Sequence, residues 1–310
     1  MAASLPLEVR QMLAQRAHRM HHFLWHQVRN SWMRYPTEVR QRLSDLGWEP
    51  PRPARDANGM LLLDTFSGED FLFMHRQMIA QVDARLEQIG DPTYPKVEGW
   101  PSIPEPRDTD YPVPAAWTEP DDPEFTEFIR AVKSDEFYLD NFAIWEPFYR
   151  NEIILRRLSL GQLGGMLEFT VHNYMHMRWS TQPIGTRPNP APDQPETIPT
   201  EWDRVEYDYL GDTYSSHVNS IFWRLHGWVD NRINDWARVN GIEEINWVGT
   251  WVGAMPATTR SPNALLSALD HDEHDHHVHE MEQAVRAIAE CGIFHEFYTD
   301  AIREFAPFQG

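Results

Sequence analysis

The spacing of the histidines is the feature that most constrains how this chain can fold. Two pairs, each four residues apart, lie in apolar stretches: His22 and His26 in HHFLWHQVRN, and His172 and His176 in EFTVHNYMHMRW. Residues at i and i+4 share one face of an α-helix, with Cβ atoms about 5–6 Å apart. Each pair therefore predicts a helix with two histidines on one face. Because a buried histidine needs partners for its ring nitrogens, we expect that face to meet hydrogen-bond partners or a metal ion.

Helical periodicity extends over most of the chain and few strand patterns are found. The predicted helices span 6–34, 37–46, 68–90, 123–133, 136–158, 160–177 and 213–239, with C-terminal helices near 262–270, 275–290 and 292–306. Ser67 is the candidate N-cap of the helix that begins at residue 68, because acidic residues follow in its first turn. The proline-rich stretches 91–123 and 182–200 are expected to be long loops over one helical core. We therefore predict one all-α domain over residues 1–310.

Composition excludes several classes of function. The net charge of −20, from 47 acidic and 27 basic residues, would repel phosphate backbones, so no nucleic-acid partner is expected. Cys291 is the single cysteine, which excludes a disulfide framework and a cysteine-based zinc or iron–sulfur site. No apolar run reaches the roughly 18 residues that a membrane span needs, and the N-terminus does not resemble a signal peptide. The expectation is a cytoplasmic protein with no membrane partner.

Each histidine pair is followed by a single histidine on a later apolar helix: His75 after the first pair, and His226 after the second. A single histidine from an antiparallel neighbour would complete three imidazoles, and two such sets in a four-helix bundle would place two metals side by side. One pair alone is better explained by chance or core packing than by metal binding, but two pair-plus-single sets favour metal binding. Six neutral ligands without a carboxylate favour copper, since di-iron bundles use glutamates.

The segments that carry these histidines resemble the type-3 copper proteins, namely tyrosinases, phenoloxidases and arthropod-type hemocyanins. HHFLWHQVRN is similar to the HHxxWH segment of the hemocyanin–prophenoloxidase branch, and SGEDFLFMHRQMIAQVDARL to the segment that follows it. VHNYMHM resembles the HNxxH of the second copper site. NSIFWRLHGWVDN resembles DPIFYRWHxxIDN, with Asn219 and Ser220 in place of Asp and Pro. The four motifs occur in the family order.

This resemblance implies a four-helix bundle that holds a dinuclear copper centre, with long proline-rich loops and extra C-terminal helices. By the family pattern the first copper is bound by His22, His26 and His75, and the second by His172, His176 and His226. O2 would be the co-substrate, and a phenol or o-diphenol would be oxidised to an o-quinone. The alternatives are oxidation of an o-aminophenol or aryl amine, and oxygen binding without catalysis. A copper chaperone and a homo-oligomer are compatible with each of these functions.

The resemblance also implies roles for residues beside the ligands. In enzymes of this family a glutamate and an asparagine hold a water that can act as a base. Glu168, one helical turn before His172, and Asn173 are the candidates here. The alternative for Glu168 is a buried cap or a partner that supports a ligand imidazole. Phe222 is expected to pack against the site, and Asp230 to anchor the last ligand.

The chain departs from the hemocyanin pattern in ways that favour catalysis. It begins about 20 residues before its first ligand, so the N-terminal shielding domain of hemocyanins is not expected, and its last 70 residues look helical. An open site would let a phenol reach the metals.

Other histidines have simpler interpretations. His18 and His21 are expected on the flank of the first helix, exposed or bonded to the backbone, and His217 is expected to cap a helix or line the entrance. The tract LDHDEHDHHVHEMEQ (269–283) is typical of a solvated helix start, where acidic residues suit the helix dipole. The alternative is weak metal capture that feeds copper inward.

Overall fold

The computed structural model describes residues 4–247, 250–254 and 271–294, with the backbone alone at 271–276. The α-helices of these residues are α1 (Leu7–Leu13), α2 (Arg16–Ser31), α3 (Thr37–Asp45), α4 (Gly68–Ile89), α5 (Pro123–Val132), α6 (Asp135–Phe137), α7 (Ala143–Arg150), α8 (Glu152–Leu155), α9 (Leu160–Leu167), α10 (Asn173–Trp179), α11 (Ser220–Val239) and α12 (His271–Cys291). Within the described ranges, β structure is limited to one bridge between Arg55 and Leu61. The all-α prediction is confirmed.

The first helix is broken, so the prediction of one helix over 6–34 is wrong. Gln15 has an extended backbone, with ψ of 141°, between α1 and α2. Neither proline nor glycine lies at this break. The buried guanidinium of Arg19 donates to the Ala14 carbonyl at 2.9 Å, and also to the carbonyls of Arg204 and Tyr214. Because a buried guanidinium must find acceptors, tertiary contacts at Arg19 favour the break over continued helix.

The helix predicted to begin at residue 68 is confirmed as α4, but the predicted N-cap is wrong. Ser67 has helical dihedral angles, and its side chain makes no capping hydrogen bond. Its carbonyl instead accepts a 2.9 Å hydrogen bond from Arg29 of α2. Ser67 is buried, and it therefore joins α4 to α2 through its backbone. The helix ends at Gly90, whose φ of 68° is in the left-handed region that favours glycine.

The helix predicted over 160–177 is confirmed and ends two residues later than predicted. It begins with a capping box between Ser159 and Gln162. Between α9 and α10 it contains a π-helical turn, Glu168–His172. We refer to the continuous stretch as the 160–179 segment. Such π-turns occur frequently at functional sites, and this one carries the first histidine of the second pair.

Glycines bring the backbones of α4 and the 160–179 segment into direct contact. A Cβ on Gly164 would lie 2.1 Å from the carbonyl oxygen of Gly68, and a Cβ on Gly68 would lie 1.9 Å from the nitrogen of Gly165. No larger residue fits at this crossing without moving the backbone. The contact therefore sets the separation of the helices that carry His75 and His172.

Two other predicted helices are corrected. The helix predicted over 213–239 begins later, as α11 at Ser220, because a short 3₁₀ turn occupies Ser216–Val218 and the Asn219 side chain accepts from the Ile221 nitrogen at 2.9 Å. The helix predicted over 136–158 is interrupted at Asn151, whose side chain caps α8. A π-helical turn, Tyr138–Phe142, precedes α7.

Long connections cover the helical core as predicted. Residues 90–122 contain no helix, and those from 180 to 219 contain two short 3₁₀ turns. α12 packs against α2 and α3. The helix predicted near 262–270 and most of that near 292–306 lie outside the described residues. Among the helices that the structure describes, none is both long and apolar enough to cross a bilayer.

Candidate dinuclear metal site

Six histidines from four helical stretches converge in the interior as two groups of three. In each group, ligand nitrogens from the three residues lie within 4.8 Å of one another, and the side chains are 0–3% exposed. The first triad is His22, His26 and His75, from α2 and α4. The second triad is His172, His176 and His226, from the 160–179 segment and α11. The grouping is the one that the spacing and the resemblance predicted.

Main-chain carbonyls hold four of these rings. The contacts are His22 Nδ1 to Thr213 O at 2.6 Å, His75 Nδ1 to Phe71 O at 2.8 Å, His172 Nδ1 to Glu168 O at 3.2 Å, and His176 Nδ1 to Leu210 O at 2.8 Å. A carbonyl can only accept, so Nδ1 carries the hydrogen in each ring. The lone pair is therefore on Nε2, the nitrogen that a metal would bind.

The nitrogens of the second triad face one another at short range. The Nε2 atom of His176 lies 3.0 Å from that of His172 and 3.3 Å from that of His226, and the remaining Nε2 pair is 3.2 Å apart. Since His172 and His176 carry hydrogen on Nδ1, their Nε2 lone pairs point at each other. Two such lone pairs repel unless a cation lies between them. The donor set therefore fits a metal ion.

Two nitrogens of the first triad would likewise be satisfied by a metal ion. The Nε2 atoms of His22 and His75 are buried, and among the described residues neither has a hydrogen-bond partner. The ring centroids of His22 and His26 are 4.8 Å apart, and those of His26 and His75 are 5.6 Å apart. Buried nitrogens without partners are rare in folded proteins, and a shared metal would satisfy those of this triad.

Burial favours the neutral form of five of these six imidazoles. Desolvation lowers the pKa of His22 to about 4 and that of His172 to about 3. The pKa values of His75, His176 and His226 are also lowered well below the usual value, again chiefly because burial disfavours the charged ring. A histidine binds metal in its neutral form, so near neutral pH these rings are in the state that a metal requires.

The two triads are in contact with each other. The rings of His75 and His226 stack with centroids 4.2 Å apart. Phe222 packs against these rings, as the resemblance implied; its ring centroid lies 3.9 Å from that of His226 and 5.6 Å from that of His22. Phe71 lies 4.6 Å from the His75 ring and 4.9 Å from the His172 ring. The two metal positions would thus be neighbours in an apolar surrounding.

Glu168 lies beside the second triad, but its carboxylate is bound to an arginine. Both oxygens accept from Arg29, at 2.6 and 2.8 Å, and both side chains are buried. Its backbone carbonyl, rather than its carboxylate, contacts His172. This geometry favours the alternative in which Glu168 supports a ligand. The water-holding role predicted for Glu168 stays a prediction.

Asn173 and Asp230 both act on ligand helices. The Oδ1 atom of Asn173 accepts from His172 Nδ1 at 3.0 Å, so this amide helps to orient the ring. Asp230 of α11 forms an ion pair with Arg76 of α4, at 2.7 Å, next to His75. It therefore anchors the two helices that supply the single histidines. The catalytic role predicted for Asn173 also stays a prediction.

Sequence reasoning missed the role of residues 209–213, a segment that contacts the candidate ligands and that we call the strap. Its Leu210 and Thr213 carbonyls orient one ring in each triad. Asp212 holds the strap to Arg187 through two hydrogen bonds of 3.0 and 3.1 Å. Every residue has a carbonyl, so no side-chain pattern could have revealed these contacts.

His18 is half-buried, His21 is bonded to the Val252 carbonyl as expected, and His217 is fully buried rather than at an entrance.

A comparison with protein-family models finds no match to this chain, and a comparison with curated proteins finds no significant match. The case for a metal site therefore rests on this molecule alone. It consists of two convergent histidine triads, the orientation of their nitrogens and the burial of the rings.

Proposed function

We propose that this chain is a type-3 copper protein that uses O2 to oxidise phenols or o-diphenols to o-quinones. α2, α4, the 160–179 segment and α11 would form the four-helix bundle around two coppers. The observation that carries the proposal is the pair of all-histidine triads joined by the stack of His75 on His226. The resemblance of the four motifs supports the same conclusion.

The donor set favours copper over a di-iron or a magnesium site. All six candidate ligands are neutral imidazoles, and imidazole suits copper and zinc whereas carboxylates suit harder ions. The nearby carboxylate of Glu168 is neutralised by Arg29. Six ligands without charge suit a metal of low formal charge, such as Cu(I). When bound, two coppers would supply the binding of O2 and the acceptance of electrons from the aromatic substrate.

The protein's own contribution is to position the rings and exclude water. Carbonyls of the strap and of the ligand helices fix Nδ1, so that Nε2 faces inward without rearrangement. Phe71 and Phe222 surround the rings with apolar surface. A neutral phenol is better accommodated next to such surface than a charged substrate.

A cavity beside the centre supports a second candidate, the oxidation of an o-aminophenol or aryl amine. The cavity has a volume of about 290 Å³, and Thr213, whose carbonyl orients His22, is part of its lining. Four acidic residues also line it; Asp212 is paired with Arg187 of the same lining, which leaves Glu119, Asp121 and Asp122. Their negative charge would favour an amine-bearing ring over a phenolate.

The deciding experiment is metal analysis of the purified protein with an absorption spectrum under O2, followed by assays with catechol, tyrosine and o-aminophenol. We expect two coppers per chain and quinone formation. His226→Phe should lose the second copper and the activity, whereas Arg238→Ala, at an exposed position on the same helix, should retain both. Reversible colour with O2 and no turnover of any substrate would instead identify an oxygen-binding protein. Zinc or iron in place of copper would overturn the proposal.

A further inference from the structure

Further histidines lie outside the triads, and one of them touches the first triad. The ring of His217 is fully buried, with its centroid 4.8 Å from that of His22. Its Nε2 donates to the Leu13 carbonyl at 3.1 Å, so Nδ1 carries the lone pair. Among the described residues, that Nδ1 has no hydrogen-bond partner. A buried nitrogen lone pair next to a metal ligand is itself a candidate metal contact.

Two histidines of α2 continue from this point toward the surface. His18 precedes His22 by one helical turn and lies three residues before His21, so it neighbours both on the helix surface. It is close enough to interact electrostatically with His21 and also with His217. His18 therefore lies between the interior histidines and the flank of α2.

The flank of α2 faces α12, which carries the histidine-rich tract. The ring centroids of His21 and His277 are 6.3 Å apart. The Nε2 atom of His21 lies 2.6 Å from the Val252 carbonyl, so its lone pair is on Nδ1. The His277 side chain is 13% exposed, and His279 of the same helix is exposed. Neighbouring imidazoles thus lead from a partly exposed residue to the first triad.

We propose that His277, His21, His18, His217 and His22 form a loading path along which Cu(I) moves from α12 to the first triad. This inference rests on the proposed copper function. Imidazole is a suitable ligand for copper, and neighbouring rings would let the ion bind the next imidazole before it leaves the previous one. The net charge of −20 would raise the local concentration of cations at the surface.

The loading path predicts that variants of its histidines bind copper more slowly but reach the same final copper content. Apoprotein is mixed anaerobically with Cu(I) as its acetonitrile complex, and samples are quenched at intervals with a strong Cu(I) chelator and desalted. We expect His277→Phe and His21→Phe to bind two coppers at equilibrium but several-fold more slowly than the unchanged protein. His279→Phe is the matched control, because it removes an exposed histidine from another face of α12, and it should load at the unchanged rate.

The outcomes separate the path from the copper function. If the unchanged protein binds no copper at equilibrium, the proposed function fails. If it binds two coppers and both path variants load at its rate, the loading path is overturned while the copper function stands. Equal slowing by His279→Phe would also overturn the path, since the effect would then belong to the tract as a whole. Where His21→Phe does not fold, as judged by thermal unfolding, the comparison of His277→Phe with His279→Phe decides.

Discussion

The rings of His75 and His226 stack face to face, with centroids 4.2 Å apart and an interplanar angle of 9°. One ring belongs to each triad, and the two helices that carry them, α4 and α11, pack together. We therefore expect a change in one triad to affect the other through this contact. The stack makes the two triads one structural unit.

Removal of the His75 ring should affect both metals. We expect His75→Ala to lose the first copper and to weaken the second by about tenfold or more, as for other groups that orient a metal ligand. His75→Phe is the matched variant, because it removes the nitrogens and keeps a ring against His226. It should lose the first copper alone. Copper counts and chelator competition measure both effects, and equal affinity for the second copper in the two variants would show that the stack does not couple the sites.

Removal of one partner from the pair between Arg29 and Glu168 should destabilise the fold. Both side chains are buried, and removal of one partner leaves a charge without compensation, which costs about 3–5 kcal/mol. We therefore expect Glu168→Gln to lower the free energy of unfolding by an amount of this order, as measured in urea. The double variant Arg29→Met with Glu168→Leu should recover much of the loss, because no buried charge remains.

The same variant tests the role of Glu168 in catalysis. If Glu168 supports the fold and the ligand helix, the copper-loaded Glu168→Gln protein should keep the ratio of tyrosine to catechol oxidation. A selective loss of tyrosine oxidation would instead identify the carboxylate as the group that holds a basic water. The ratio is informative because a purely structural defect reduces both rates together.

The glycine crossing of α4 with the 160–179 segment should not tolerate a methyl group. A Cβ on Gly164 would lie 2.1 Å from the Gly68 carbonyl oxygen, so the helices must move apart. We expect Gly164→Ala to cost about 3 kcal/mol of stability, the upper end for overpacking, and to lower the copper content, because His75 and His172 would separate. Glu87→Ala, at an exposed position on α4, is the control and should change neither quantity. Retention of full stability by Gly164→Ala would contradict the crossing geometry.

The parts of the structure that could be predicted depend on local sequence patterns. The spacing of His22 and His26 reports a helix face directly, and the apolar periodicity reports an all-α chain, so both predictions agree with the structure. The break at Gln15 depends on distant partners, namely the carbonyls around Arg19. The later start of α11 depends instead on a local cap by the Asn219 side chain, which the periodicity did not reveal. The strap acts through the backbone of Leu210 and Thr213, which no residue type reveals. The bidentate partner of Glu168 lies 139 residues away and has no motif.

The stability of the apoprotein should fall as the pH is lowered through the range of the buried histidines. The pKa of a histidine in the unfolded chain is about 6.5, whereas burial lowers those of His22 to about 4 and of His172 to about 3 in the folded apoprotein. Between these values the unfolded chain binds more protons, so the free energy of unfolding rises with pH. The loss therefore begins as the pH falls below about 6.5, and for each ring it ends near the folded pKa.

At about pH 5 the expected loss is about 2 kcal/mol for one such histidine. Urea unfolding of the apoprotein between about pH 7 and about pH 5 measures it. His22→Gln should reduce the loss by about the contribution of one histidine, because glutamine does not titrate, while the other buried histidines keep the rest of the dependence. Copper-loaded protein should be more stable near neutral pH and lose that added stability on acidification, since protons compete with the metal for Nε2. A pH-independent free energy of unfolding in the apoprotein would mean that the triads are not buried as neutral imidazoles.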